Sequence, residues 1–126
     1  MRLILVDDDM EEEELFRDAV QTIDPSIEVI WYDDVMNALD ALLKDAAQPD
    51  LLFLDLNIPK VSGKELLKLL RQYDATSRLP VVIYSTSISK KDVEDTTPYH
   101  IKAYLQKPEE FRLLCEKLAE LVRNSH

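Results

Sequence analysis

One cysteine, Cys115, in 126 residues excludes an internal disulfide framework and suits a reducing cytosol. No apolar run approaches the roughly 18 residues that a membrane span needs. The opening MRLILVDDD has a short apolar core and then three aspartates, which is not the shape of a signal peptide. Positive charge is also scarce: 15 Lys and Arg stand against 25 Asp and Glu, a net charge of -10 and a pI of about 4.6. That balance repels phosphate backbones and argues against nucleic-acid binding. There is no internal repeat or low-complexity linker. With 46% hydrophobic residues, the expectation is one cytoplasmic domain over residues 1–126 that builds its own core, without membrane contact and with no second domain.

Five short apolar runs alternate with stretches of helical period. Residues 2–6, 27–32, 51–54, 81–85 and 102–106 read as strands, and the first, third and fourth are nearly continuous Leu, Ile, Val and Phe. Such runs mark parallel strands covered on both faces. Between them, Leu15, Phe16, Ala19, Val20 and Ile23 form one apolar stripe, which Asp24-Pro25 stops. Val35, Leu39, Leu42, Leu43 and Ala46 form a second behind Asp33-Asp34, and Ser62 with Glu65 is a capping-box pattern ahead of Leu66, Leu69, Leu70 and Tyr73. Phe111, Leu114, Leu118, Leu121 and Val122 make the last stripe, with Pro108 near its start. The fourth helix is weak: Ser89 and Asp92 can open it, but Thr96-Thr97-Pro98 ends it poorly. A (βα)5 order implies a doubly wound, flavodoxin-like parallel sheet with right-handed crossovers and helices on both faces. In such a sheet ligands bind at the carboxyl ends of the strands.

Those ends carry a restricted set. Asp7, Asp8 and Asp9 follow the first strand, Asp55 and Asn57 the third, Ser85, Thr86 and Ser87 the fourth, and Lys107-Pro108 the fifth. Asp7, Asp8 and Asp55 bring three negative charges to which Lys107 returns one, and clustered carboxylates oppose one another's ionisation. A divalent cation would cancel the remainder; an all-oxygen set with few protein ligands suits Mg²⁺, which in such sites usually meets a phosphate. Asp55 is then a candidate nucleophile, because carboxylates form aspartyl phosphates, with Lys107 and the Ser85 hydroxyl as donors to phosphoryl oxygens.

LILVDDD, FLDLNIPKVSG, PVVIYSTS and AYLQKP, in this order, resemble the motifs of the receiver domain of two-component response regulators, over essentially the whole chain. The resemblance implies that Asp7 and Asp8 are the Mg²⁺ acids and that Asp55 is the phosphoacceptor and a metal ligand. It puts a metal-binding backbone carbonyl at Asn57, the loop turn at Pro59 and Gly63, the switch hydroxyl at Ser85 followed by Thr86, the aromatic switch at Tyr104, and the active-site lysine at Lys107. It also implies a cis Lys107-Pro108 bond. The implied partners are a sensor histidine kinase or phosphotransfer protein upstream and a protein docking on the fourth helix, fifth strand and fifth helix downstream, the chain itself being a monomer or weak homodimer. Beyond its own phosphorylation and dephosphorylation it would catalyse nothing. Thr86 is bulkier than the usual residue at its position, and Tyr99-His100-Ile101-Lys102-Ala103 replaces the usual glycine-containing loop.

Blander readings stand beside these. The three aspartates can serve as a helix cap, Asp9 as a cap or outer-shell residue, Lys107 as a solvated lysine before a helix, and Tyr104 as a half-buried strand aromatic. Glutamates 11–14 read as a solvated first turn, Cys115 as inert, and His100 and His126 as without a role. Two other functions compete. A phosphatase of the haloacid-dehalogenase kind uses a similar donor set, but its nucleophile lies on the earliest motif strand with a second acid two places on. The other is a receiver-like scaffold that is never phosphorylated.

Overall fold

The computed structural model describes residues 1–44, 48–59 and 61–125; Ala46 and His126 lie outside them. Five parallel strands, β1 (Arg2–Val6), β2 (Glu28–Tyr32), β3 (Leu51–Leu54), β4 (Val81–Ser85) and β5 (Ala103–Gln106), form one sheet in the order β2-β1-β3-β4-β5. The chain leaves β1 towards β2 and returns to β3 on its other side, so strand order reverses between β1 and β3. The crevice of a doubly wound sheet opens there. β2 begins one residue later than its apolar run because Ile27 closes a turn, its N–H donating to the Asp24 carbonyl at 3.2 Å.

Period-two alternation sorts the greasy strands into two cores. Leu3, Leu5, Leu51, Phe53, Val82 and Tyr84 face one side, against Phe16, Ala19 and Val20 of α1 (Met10–Ile23) and Leu114, Leu118 and Val122 of α5 (Phe111–Arg123). Ile4, Val6, Leu52, Leu54, Val81 and Ile83 face the other, against α2 (Val35–Lys44) and α3 (Gly63–Leu70). The helix signals work in part, with only the Ser62 half of the expected Ser62–Glu65 capping box formed. Asp9 caps α1 by accepting from the Glu11 N–H at 2.9 Å, Asp24 ends it, and the Ser62 hydroxyl accepts from the Glu65 N–H at 3.3 Å. Pro108, expected near the start of α5, lies three residues before Phe111, outside the helix.

The fourth helix, α4 (Lys90–Thr96), is short as expected and runs into a 3-10 turn at Thr97–Tyr99. Ser89 and Asp92 form a reciprocal capping box, at 3.0 and 2.9 Å. Thr96 is the one buried residue of α4, so polar bonds replace an apolar face. Lys64 at the start of α3 pairs with Asp92 at 2.8 Å and Asp95 at 3.0 Å. At the other end His100 takes a left-handed conformation, φ 58°, which supplies the reversal without glycine. The Arg71 guanidinium, from the end of α3, donates to the carbonyls of Tyr99 (2.8 Å), Thr76 (3.1 Å), Ser77 (3.2 Å) and His100 (3.4 Å). Arg71→Met keeps the stem and strands these acceptors, at a cost of about 1–3 kcal/mol. Amide exchange across residues 97–102 is expected to accelerate more than the rest of the molecule; uniform acceleration would mean that Arg71 only contributes to global stability.

Candidate functional site

The site lies in the crevice between β1 and β3. Asp7 is the first residue beyond β1 and is fully buried. Its N–H donates to the Tyr32 carbonyl at 3.2 Å, its own carbonyl accepts from Trp31 Nε1–H at 2.6 Å, and its Oδ1 accepts from the Asp9 N–H at 3.0 Å. Asp55 is placed next to it by the Asp55 N–H bond to the Val6 carbonyl, 3.0 Å, which extends the β1–β3 ladder by one residue. A carboxylate can follow so apolar a strand because it is paired. Asp55 Oδ1 accepts from the Ser85 hydroxyl at 2.8 Å and from the Asn57 N–H at 2.9 Å, while Oδ2 accepts from Lys107 Nζ at 3.0 Å. Lys107 also donates to Asp7 Oδ2 at 2.6 Å.

Each partner is fixed by its own element. Ser85 ends β4, is fully buried, and accepts from the Leu56 N–H at 3.1 Å, so one hydroxyl bridges backbone and carboxylate. Lys107 follows β5, its N–H donating to the Ser85 carbonyl at 2.8 Å. Its side chain is only 7% exposed, and its ammonium lies 5.4 Å from the centre of the Tyr84 ring. Tyr84, Phe16 and Phe53 form an aromatic floor with ring centres 4.9–6.2 Å apart. Low-dielectric walls strengthen every charge interaction in the crevice.

Burial pushes the Asp7 carboxyl above its ordinary value and the Asp55 charge adds to this, against the lowering by Lys107 and the Asp9 N–H. Burial alone would lower Lys107, but the hydrogen bonds and charges of Asp7 and Asp55 outweigh it and raise its pKa. Burial likewise raises the Tyr84 phenol, helped by the charges of Glu12, Asp7 and Asp55. One carboxylate oxygen each from Asp7, Asp8 and Asp55 lie within 4.8 Å of one another, close enough to share an ion. This all-oxygen set, with Asp8 open to solvent, fits a hard divalent cation that keeps part of its water.

The remaining expected residues lie around this centre. Asn57 is exposed on the loop after Asp55, and Thr86 is exposed directly after Ser85. Pro59 is exposed and its carbonyl accepts from the Val61 N–H at 3.0 Å, in a turn. Gly63 is not a turn glycine: it opens α3 with no positive φ, and its N–H donates to the Leu56 carbonyl at 3.3 Å. It serves close approach, since a Cβ there would lie 2.5 Å from the Asp55 carbonyl oxygen. The Lys107-Pro108 bond, expected cis, is trans, as is every peptide bond among the described residues. Trans is the ordinary preference of an X-Pro bond by about 0.5–1 kcal/mol. Tyr104 points outward, 36% exposed, and its hydroxyl shares a 2.7 Å hydrogen bond with Thr96 Oγ1.

Glutamates 11–14 are not uniformly solvated. Glu13 is buried and accepts from Arg17 Nε–H at 2.7 Å, a four-residue spacing that the sequence displays. Glu12 is half-buried; desolvation raises its carboxyl, and it feels the charges of Lys107, Asp7, Asp9 and Asp55. Trp31 and Tyr84 are the other site neighbours that sequence reasoning missed. They sit inside apolar strand runs, where nothing separates a site contact from ordinary core.

The family model of the response regulator receiver domain matches residues 3–119. The response regulator Rcp1 of Synechocystis is 31% identical over 110 residues, covering 83% of this chain and 75% of its own length. Among solved structures, the phosphorylated cyanobacterial phytochrome response regulator RcpA superposes with a TM-score of 0.86 at 30% identity, over 95% of this chain and 89% of that one. The Mn²⁺-bound form of Rcp1 gives a TM-score of 0.82 at 28% identity, over 95% and 90%. With acids, hydroxyl and lysine gathered at the ends of β1, β3, β4 and β5, the chain belongs to the response regulator receiver family of two-component signalling.

Proposed function

We propose that Asp55 accepts a phosphoryl group from a phosphohistidine on a sensor kinase or phosphotransfer protein, with Mg²⁺ held by Asp7, Asp8, Asp55 and the Asn57 backbone carbonyl. An Asp55 carboxylate oxygen attacks phosphorus, an O–P bond forms as the N–P bond breaks, and the leaving imidazole takes up a proton. Mg²⁺, when bound, neutralises charge on the phosphoryl oxygens. The donor set supports this reading: an ammonium at 3.0 Å and a hydroxyl at 2.8 Å already sit on the Asp55 carboxylate, where the new oxygens need them. The Mn²⁺-bound relative supports a divalent ion at such a site.

The added group carries about -1.5 to -2 charges. Lys107 and Ser85 turn to its oxygens, and Tyr104, released from Thr96, moves inward. That biases the surface of α4, β5 and α5 towards a partner protein. The chain's chemistry is confined to forming and losing its own acyl phosphate.

The observation that carries the proposal is the shared contact of Asp55 with Lys107 and Ser85 beside two further acids. Intact mass after incubation with acetyl phosphate and Mg²⁺ tests it. One phosphoryl adduct is expected in the wild type, none without Mg²⁺, and none in Asp55→Asn. An adduct that survives Asp55→Asn, or none in folded wild type that binds Mg²⁺, would reject the assignment.

A further inference from the structure

Asp7 is held through its backbone as firmly as through its side chain. β1 ends at Val6, and the Asp7 N–H makes the last ladder bond to β2, at 3.2 Å to Tyr32. The Asp7 carbonyl lies beyond the ladder, because β2 stops at Tyr32 and α2 begins at Val35. Trp31 supplies the missing donor from a side chain, Nε1–H to the Asp7 oxygen at 2.6 Å. The ring itself is anchored, half-buried against the core formed with α1 and α5. An indole of this kind is a rigid lever, with an apolar body in the core and a polar tip at the site.

Asp7 needs such a hold. Its carboxylate is fully buried, drawn to Lys107 at 2.6 Å, and close to the like charges of Asp8 and Asp55. A free backbone would let it turn wholly onto Lys107 and away from an incoming cation. We propose that Trp31 is a positioning residue for the cation site: its indole N–H fixes the Asp7 carbonyl and so the direction in which the Asp7 carboxylate faces the metal. This rests on the metal-dependent reading above, and the test separates the two.

Trp31 is the sole tryptophan, so the protein has a single indole N–H resonance. In metal-free wild type that proton is expected to exchange slowly, and its shift is expected to move as Mg²⁺ is added. Trp31→Phe keeps the ring in the core and removes the donor. Its Mg²⁺ half-saturation, read from the amide shifts of Asp8 and Asn57, is expected to rise about three- to tenfold, the scale of one lost hydrogen bond. Amides of Asp8 and Asp9 should also exchange faster in the metal-free variant. An unchanged half-saturation, even with a lowered melting point, makes Trp31 a core residue only and overturns the inference while leaving the metal reading intact. Should the variant fail to fold, an indole signal of the wild type that does not move at saturating Mg²⁺ overturns it equally. Wild type that does not bind Mg²⁺ at all removes the metal reading, and this inference with it.

Discussion

Gly63→Ala is expected to lower the melting point and slow phosphorylation together. The added Cβ would lie 2.5 Å from the Asp55 carbonyl oxygen and 2.8 Å from Leu56 Cα. Both neighbours are backbone, so no side chain can swing aside; the start of α3 must retreat from the end of β3, or the β3 end must move. Overpacking of this kind costs about 1–3 kcal/mol. Alanine's better helix propensity returns at most about 1 kcal/mol in a helix interior, and less at its first residue. The net loss of about 1–2 kcal/mol corresponds to roughly 3–8 °C for a domain of this size. The displaced atoms are the backbone of the phosphoacceptor itself, so the rate of adduct formation with acetyl phosphate should fall even at temperatures where the variant is fully folded. A lower melting point with an unchanged rate would show that α3 alone yields, and that Gly63 serves packing without positioning Asp55.

The chain has one glycine and spends it at this contact. Elsewhere it makes a reversal without one, at His100, where Arg71 gathers the surrounding carbonyls. This contrast shows where a sequence is legible. Runs such as LLFL and VVIYS announce doubly covered strands, and the residues after them fall at the carboxyl edge by topology alone, so Asp7, Asp55, Ser85 and Lys107 can be brought together on paper. The Arg71 clasp joins residues 28 and 29 places apart through backbone carbonyls, which carry no residue-type signal. Trp31 reaches a carbonyl for the same reason unseen. The weak fourth helix was readable as weak from its poor ending at Thr96-Thr97-Pro98, but its attachment through Lys64 needed three-dimensional placement. Gly63 was recognisable as a special position; whether it served a turn or a close approach was not, since both select glycine.

Lys107→Met is expected to destabilise the metal-free protein by about 3–5 kcal/mol at pH 7, the cost of removing one partner from a buried ion pair. Asp7 and Asp55 would be left facing each other, with side chains 1% and 8% exposed and no cation between them. Protonation of Asp7 is the relief. Burial already raises the Asp7 carboxyl, and losing the Lys107 hydrogen bond and charge removes two of the influences that lower it. A carboxyl raised in the folded state binds a proton that the unfolded chain releases, so folding is favoured at low pH and loses stability as pH rises from the ordinary value of 3.8 through the raised one. The deficit of the variant should therefore be largest at neutral pH and shrink on acidification towards that window. Lys107 itself adds no opposing slope there, because its raised pKa keeps it charged throughout and its contribution is lost only above the ordinary lysine value of 10.5. Mg²⁺ should stabilise the variant more than the wild type, since ligand binding to the folded state adds stability that grows with the logarithm of its affinity and the ion no longer competes with an ammonium. Urea midpoints at pH 5 and 7.5, with and without Mg²⁺, measure all three effects on both proteins. A variant as stable as wild type at pH 7.5 without metal would mean that water reaches the acids freely, and the dry, charge-focused crevice on which the phosphoryl chemistry is argued would have to be abandoned.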